Sequence, residues 1–288
     1  MFEQVKSTFE VPRVERLSRR EFEERFLFPQ RPVIIAGAME GWPALERWTN
    51  DYLLEKVGAR FVYPIKHKGH ARLGARASID PKSGQMDTPP MKLAEYIDLL
   101  DGATMVDELP YIALLPLENS LPELWPDVRF PTFVDEDKFF DTRFWLGPGN
   151  NYTPLHYDPN NNFLAQLRGR KRVMLCPPRE IAHVYPFPLR YATNHFSQVN
   201  VLSPDLARFP AWAHADRALL ELGPGEMLFI PFYWWHAVSG VGQNMSINYW
   251  WPVRRANRLQ HPRQTARWSF RNAVLAAAAH RPGVKSSR

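Results

Sequence analysis

Short runs of aromatic and β-branched residues recur between residues 111 and 251, and Gly and Pro residues separate them. Each run has the length and composition of a β-strand, and the separating residues are typical of tight turns. Many short strands joined by turns indicate a sandwich or barrel, because a parallel sheet needs a long crossover between successive strands. The predicted strands cover residues 111–115, 142–146, 153–158, 162–167, 172–176, 227–231 and 246–251.

The chain ahead of this β region carries helical signals. Ser18 and Glu21 form a capping box, in which a serine and a glutamate three residues later satisfy the free N–H groups at a helix start. A strand is predicted at 32–36, and apolar residues at helical spacing predict further helices over 48–57 and 91–100. The β core therefore has an N-terminal α/β flank.

The chain after residue 252 is helical in pattern and strongly basic. It holds nine of the 36 Lys and Arg residues, whereas all 30 Asp and Glu residues lie before it. Such a tail can bind nucleic acid or an acidic protein, or it can be the solvated face of a helix. We predict a domain over 1–252, with its β core at about 111–252, and a separate helical tail over 253–288.

Composition excludes several classes of protein. Cys176 is the single cysteine, which rules out a disulfide framework and a zinc site built from several thiolates. The longest apolar run, 273–279, is far shorter than the roughly 18 residues of a membrane-spanning helix. Charges interrupt the first 26 residues, so they do not resemble a secretory signal. We expect a cytoplasmic protein without a membrane partner.

Two histidines and one aspartate stand out within the predicted strands. His156 and Asp158 are one residue apart, and side chains alternate along a strand, so both project from one face. His236 ends an apolar strand that follows a tight turn at 223–225, and another part of the β core must bring it to the first two. Two imidazoles and one carboxylate form the facial triad of non-haem Fe(II) oxygenases. Alternatively, the histidines only hydrogen-bond within a Trp-lined core.

Three motifs resemble the JmjC/cupin-like 2-oxoglutarate oxygenases: TPLHYD at 153–158, NFLAQLRGRKR at 162–172 and IPFYWWH at 230–236. Part of 32–48 (PVIIAG and WPALERW) is similar to the N-terminal region of that family. Within the family, the nearest likeness is to its asparaginyl hydroxylases that act on hypoxia-inducible factor, although the substrate-gripping residues differ at 194–196. The resemblance implies a mainly β fold, a double-stranded β-helix of the cupin or jelly-roll type. It also implies Fe(II) and 2-oxoglutarate as cofactors and O2 as co-substrate.

The resemblance assigns roles to single residues. Those matching the iron ligands are His156, Asp158 and His236, which are the predicted catalytic and metal-binding residues. Lys171 matches the lysine that pairs with the distal carboxylate of 2-oxoglutarate, where an unpaired buried carboxylate would be costly. Among the other cosubstrate residues, Thr153 and Tyr111 match hydroxyl donors to that carboxylate, and Asn162 and Asn248 match amides at the iron end.

Substrate contacts are predicted more broadly. Trp250 shares a strand face with Asn248, so it can wall the substrate channel or simply pack in the core. Asn160 is the second candidate for a substrate contact. For two cosubstrate residues a role without ligand binding also stays open. Lys171 can be a solvated lysine within a basic run, and Tyr111 can simply pack in the core.

We therefore predict a 2-oxoglutarate-dependent dioxygenase that hydroxylates a protein or peptide side chain and releases succinate and CO2. The alternatives are the same chemistry on a small molecule or RNA, and a non-catalytic cupin-like binding protein. Demethylation uses the same chemistry, but the sequence does not suggest a methyl-ammonium cage. Substitution of Lys171 separates the classes, because it should abolish turnover in an oxygenase and spare a pure binding function.

Two further expectations concern the tail and one loop. In the asparaginyl hydroxylases that the chain resembles, such C-terminal helices build a homodimer, and the apolar residues available for this are Trp268, Phe270, Val274 and Leu275. A monomer with the tail folded on its own barrel is the alternative. The segment 67–90 is rich in Gly, Lys, Arg and Pro, and we expect it to be a mobile loop; the sequence leaves open whether it closes over substrate.

Overall fold

Two long strands that run side by side organise the fold. The structure is a computed structural model that describes residue 2 and residues 5–65, 89–102, 109–191 and 193–279. Strand β8 (Asn161–Cys176) and strand β11 (Trp235–Trp251) pair antiparallel along almost their whole length. Each of the two belongs to one sheet with its first half and to a second sheet with its other half.

The larger sheet, which we call the major sheet, uses the first half of β8 and the second half of β11. Its order is β1-β2-β10-β8-β11-β6-β5. The bounds of the other five strands are Arg13–Glu15 for β1, Val33–Ala36 for β2, Ile112–Pro116 for β5, Asp141–Gly147 for β6 and Met227–Ile230 for β10. Two strands of the N-terminal flank therefore extend the sheet of the β core.

The smaller sheet, the minor sheet, uses the remaining halves of the same two strands. Strand β7 (Tyr152–Tyr157) pairs with the start of β11, and β9 (Ala218–Leu222) pairs with the end of β8. Two sheets that share bent strands form a double-stranded β-helix, so the predicted fold class is confirmed. Apolar side chains fill the space between the sheets, notably Ile34, Leu164, Val173, Leu175 and Leu228.

The bends of the two shared strands correct the predicted strand boundaries. Residues 162–167 and 172–176 belong to one strand, which bends at Gly169 with a φ of 65°. A Cβ at this position would overlap the backbone oxygen of Gln243, so only glycine fits. In β11 the pairing shifts between Val241 and Met245, and the predicted strand at 246–251 is only its end. Strand β9 was not predicted.

The N-terminal flank packs on the outer face of the major sheet. The predicted capping box is present at α1 (Arg19–Phe22), which continues as a π-helical segment, Glu23–Leu27. The ring of Phe22 contacts the rings of Phe163 and Phe229 on the sheet, with centroids 5.3 and 5.0 Å away. The other elements of the flank are α2 (Pro43–Arg47), α3 (Asn50–Val57), β3 (Phe61–Val62), β4 (Met91–Lys92), α4 (Leu93–Asp101) and α5 (Leu117–Ser120).

The C-terminal helices, α6 (Arg255–Arg258) and α7 (Pro262–Ala279), begin directly after β11. Trp268 packs against the apolar cluster on the outer face of the minor sheet, whereas Phe270 and Leu275 are exposed. The side chain of Val274 lies outside the described residues. The homodimer and the proposed domain limits stay predictions.

Two other expectations meet the limits of the described chain. Nearly all of the segment 67–90 lies outside the described residues, so its mobility stays a prediction and the question of a lid stays open. Across the ranges that the structure covers, no helix combines the length and the apolar composition needed to cross a bilayer.

Candidate metal centre

The three predicted metal ligands meet at one point. His156 is on β7, Asp158 follows the end of β7, and His236 is the second residue of β11. The pairing of the two strands places His156 directly opposite His236, and the centroids of their rings are 4.2 Å apart. One potential ligand atom from each of the three residues lies within 4.8 Å of the others. This spacing allows all three to bind a single ion.

Backbone carbonyls fix how the two imidazoles face the ion. His156 Nδ1 lies 2.8 Å from the Pro154 oxygen, and His236 Nδ1 lies 3.0 Å from the Trp234 oxygen. A carbonyl oxygen can only accept, so Nδ1 carries the proton in each ring and Nε2 is left as a ligand atom. Second partners of this kind hold the ring orientation that a metal needs.

The aspartate is also oriented by a neighbour. Trp250 Nε1 donates a hydrogen bond of 3.0 Å to Asp158 Oδ2, and the same oxygen lies 3.8 Å from His236 Nε2. Trp250 therefore contacts a candidate metal ligand directly, which the sequence alone did not indicate. The channel-wall role predicted for it remains open.

Burial favours the neutral form of His236. His236 is buried, and this burial lowers its pKa, with the neighbouring His156 ring lowering it further and Asp158 opposing both. A neutral imidazole is the form that binds a metal. His156 and Asp158 are only half-buried, so the site is reachable from solvent.

Lys171 is on the same inner face of the minor sheet. It lies opposite Gly240, four residues along β11 from His236, and alternation places both side chains on one side of the sheet. The side chain is only 3% exposed, and its Nζ donates to Ser246 Oγ at 2.5 Å. Within the described chain no carboxylate pairs with this amine, and burial lowers its pKa to about 7. The solvated-lysine alternative is therefore wrong for this side chain.

The two predicted hydroxyl donors, Tyr111 and Thr153, lie next to one another near this lysine. Tyr111 OH is 3.5 Å from Thr153 Oγ1, and burial raises the pKa of Tyr111 to about 12. The ring of Tyr111 stacks on Trp145, and Lys171 Nζ lies 5.3 Å from the centre of the same Trp145 ring. These four side chains form a cluster of polar groups beside an aromatic ring, suited to one end of a dicarboxylate.

The predicted amides also pair, since Asn248 Nδ2 donates to Asn162 Oδ1 at 2.8 Å. Asn160 does not face this pair but accepts a hydrogen bond from Arg258 Nη2 at 3.3 Å, which ties it to the C-terminal helices. Its predicted substrate contact stays a prediction.

Sequence reasoning did not find Trp145 and Ser246 as members of the site. They face each other across β6 and β11, and both contact Lys171. Phe196 was also not identified, although its ring stacks on His156 with centroids 5.0 Å apart. A single Trp, Ser or Phe within a strand or loop carries no local signal, so only the pairing of distant strands could reveal these residues.

The fold and the donor set together define a class of protein. A double-stranded β-helix with two histidines and one carboxylate at one end of its inner face belongs to the cupin-type metal proteins. The model of the family described as "Cupin-like domain" matches residues 19–257, and the chain is a member of that family. The expected JmjC/cupin-like family is therefore confirmed.

Curated relatives carry related names. The chain is 36% identical over 251 residues to lysine-specific demethylase 8 of Danio rerio, which covers 85% of this chain and 59% of that protein. It is 28% identical over 256 residues to Jumonji C domain-containing protein 5 of Drosophila melanogaster, and the match covers 86% of this chain and 61% of that protein. It is 29% identical over 254 residues to tRNA wybutosine-synthesizing protein 5 of Homo sapiens, covering 84% and 77%.

The chain thus spans about three fifths of the length of the first two relatives. The name of the first relative concerns demethylation of lysine, and the name of the third concerns synthesis of wybutosine in tRNA. Neither name decides the substrate here. The finer likeness to asparaginyl hydroxylases stays a prediction.

Proposed function

We propose that this protein is an Fe(II)- and 2-oxoglutarate-dependent oxygenase that hydroxylates a side chain of a protein or peptide. One observation carries the proposal: a triad of two histidines and one carboxylate lies on the same inner face as a buried lysine that has no acidic partner among the described residues. The triad suits a mononuclear Fe(II) centre that keeps positions open for other ligands. The lysine suits the far carboxylate of a dicarboxylate, whose charge must be neutralised on burial.

The donor set fits these groups. His156, Asp158 and His236 would hold Fe(II), and Lys171 would pair with 2-oxoglutarate, assisted by the hydroxyl of Thr153. When bound, Fe(II) and 2-oxoglutarate supply O2-dependent hydroxylation of a C–H bond, coupled to release of succinate and CO2. A carboxylate pairs with the protonated form of the amine. Binding of 2-oxoglutarate should therefore raise the pKa of Lys171, and the protein should take up a proton on binding above pH 7.

The chain's own residues orient the ligands and limit water. Backbone carbonyls hold both imidazoles, and Trp250 holds one oxygen of Asp158. The ring of Phe196 covers one face of His156, and Trp250 is 9% exposed. Such apolar surroundings protect a reactive centre from unproductive reactions with solvent.

The first experiment tests the cofactor site. Metal-stripped protein receives Fe(II) and then 2-oxoglutarate without O2, and the visible metal-to-ligand charge-transfer band is recorded. The wild type should develop the band, whereas His156→Ala and Lys171→Ala should not at the same ligand concentrations. Arg170→Ala is a matched control, because Arg170 precedes Lys171 but is exposed and pairs with Glu221. Absence of both the band and succinate formation in wild type would favour a binding protein on an inherited barrel.

A second candidate substrate is RNA. The relative named tRNA wybutosine-synthesizing protein 5 and the basic C-terminal segment favour it. Succinate release in air should be measured with a peptide library and with total tRNA as separate additions. Stimulation by peptides supports the first proposal, and stimulation by tRNA alone replaces it with the second. A peptide carrying N-methyl lysine tests the demethylation outcome, since hydroxylation of an N-methyl carbon leads to loss of that carbon.

A further inference from the structure

The C-terminal segment lies against the two loops that carry the metal ligands. The family match ends at residue 257, so α7 and the last residue of α6 lie beyond it. Helix α7 is nevertheless docked on the barrel, because Gln264 is 3% exposed and its Nε2 donates to the Pro178 oxygen. Its first turns therefore have a fixed position relative to the sheets.

Arg258 joins the two ligand loops to each other. Its Nη2 lies 3.3 Å from Asn160 Oδ1, two residues after Asp158, and its Nη1 lies 3.3 Å from the Tyr233 hydroxyl, three residues before His236. One guanidinium thus connects the segment that follows Asp158 with the segment that precedes His236. Its planar fork of donors holds two acceptors in a fixed geometry, whereas the three donors of a lysine rotate on a flexible stem.

Tyr233 is an unusual anchor for this bridge. Its φ is 63°, a conformation that costs a bulky residue free energy and persists only when neighbours enforce it. Its backbone N–H donates to the backbone carbonyl oxygen of Asp158 at 2.7 Å, so the two ligand loops also contact each other directly. The Thr265 hydroxyl lies 3.2 Å from the Tyr233 hydroxyl and donates to the Arg258 oxygen at 2.8 Å. The tail therefore supplies two of the groups that hold this strained residue.

A different arginine, Arg267, contacts the loop that packs against His156, the third candidate ligand. Arg267 Nη2 donates to the Asn194 oxygen at 2.8 Å and also to the Phe187 oxygen. These two carbonyls close the loop that ends at Phe196, which pairs with the backbone of His156 and stacks on its ring. Arg267 therefore acts on His156 through one intermediate residue.

We infer that Arg258 is a positioning residue of the metal centre, holding the Asp158 and His236 loops at the separation that one ion requires, with Arg267 in the same role toward His156. This inference rests on the metal site proposed above. It assigns to the tail a task in metal binding that is independent of dimerisation. The physical basis is preorganisation, because a loop already fixed in its bound geometry loses less freedom when the ion binds.

The test measures metal affinity apart from activity. Fe(II), or Co(II) as an air-stable probe, is titrated into metal-free wild type and into Arg258→Ala, Arg258→Lys and Arg267→Ala, and the dissociation constant is determined. Urea unfolding of each metal-free variant reports any purely structural damage. The controls are Arg255→Ala and Arg263→Ala, which remove exposed arginines of the same segment.

Arg258→Ala should weaken metal binding about 10-fold, the lower end of the range for partners of metal ligands, and its metal-free form should remain folded. Arg258→Lys should fall between wild type and Arg258→Ala, and both control variants should bind as the wild type does. Asn160→Ala should add little on top of Arg258→Ala, because the two changes remove the same contact.

Three results would overturn the inference, and they are distinguishable. If the wild type binds metal and Arg258→Ala binds it equally well, the bridge has no positioning role and only this inference fails. If the wild type binds neither ion, the proposed metal centre fails and the positioning role fails with it. A loss of affinity shared equally by the Arg255 and Arg263 controls would refute the specific role of Arg258 and indicate a general effect of charge.

Discussion

Replacing Lys171 with Met should make the ligand-free protein more stable near neutral pH, although it should abolish binding of 2-oxoglutarate. The amine is buried beside Ser246 and Trp145 without an acidic partner in the described chain. A methionine of similar length fills the same space without a charge to desolvate. The prediction is unusual in direction, because most substitutions of buried residues destabilise a protein.

The magnitude follows from three contributions. Burial lowers the pKa of Lys171 from 10.5 to about 7, and at about 1.36 kcal/mol per pH unit this costs on the order of 5 kcal/mol. Methionine leaves the Ser246 hydroxyl without its partner, at about 1–3 kcal/mol. It also loses the attraction between the ammonium and the Trp145 ring, at about 0.5–2 kcal/mol. Subtracting the second and third contributions from the first leaves a net gain of about 0–3.5 kcal/mol, centred near 2 kcal/mol, at pH 7 and below.

The gain should depend on pH in a defined direction. The unfolded lysine stays protonated up to about pH 10.5, whereas the folded one loses its proton near pH 7. The unfolded state then binds more protons between these values, so the stability of the wild type rises with pH there. The variant has no such dependence. Its advantage should shrink by about 1.4 kcal/mol per pH unit above pH 7 and reverse sign near pH 8–9.

Urea unfolding of metal-free wild type and Lys171→Met at pH 7 and pH 9.5 checks both parts. Lys56→Met is the matched control, because the Lys56 side chain is 41% exposed and the substitution should change stability by no more than about 0.5 kcal/mol. A variant that is less stable than wild type at pH 7, or a difference that does not change with pH, would refute the reasoning about the buried amine.

Three further substitutions test other parts of the structure. Trp250→Phe removes the hydrogen bond to Asp158 and should weaken metal binding about 10-fold in a metal titration; unchanged affinity would contradict this. Gly169→Ala should lower the free energy of unfolding in urea by about 2 kcal/mol or more, because its φ is 65° and a Cβ meets Gln243; wild-type stability would show that the bend can relax. Metal at 100 times its dissociation constant should stabilise wild type by about 2.7 kcal/mol in thermal unfolding, and His156→Ala should lose this gain; equal stabilisation of both would place the ion elsewhere.

Local patterns predicted the strands better than their continuity. The segment 168–172 is polar and contains Gly169, so its composition indicates a turn between two strands. In the structure the same residues continue one strand through a bend, because β11 pairs with both halves of β8. The continuity depends on a partner more than 60 residues away, which no local window contains.

The candidate site shows the same division. His156 and Asp158 could be placed on one face from their spacing alone, and the setting of His236 made it a third ligand. The residues around Lys171 could not be found this way, because Trp145 and Ser246 are brought together by strand register. Arg258 was predicted only as part of a basic tail, since nothing in its neighbourhood indicates which loops it contacts.

Two costly features lie beside the candidate ligands, and this distribution is itself informative. Lys171 is buried without an acidic partner among the described residues, and Tyr233 holds a positive φ, so each lowers the stability of the ligand-free fold. An apolar residue in place of Lys171 would remove the first cost, and a glycine in place of Tyr233 would remove the second. A dicarboxylate would remove the first cost by pairing with the amine. The second is carried by a residue whose N–H and hydroxyl tie Asp158 to Arg258, so relaxing Tyr233 would separate two candidate ligands, Asp158 and His236. Both costs are therefore expected if the fold is arranged for its bound state.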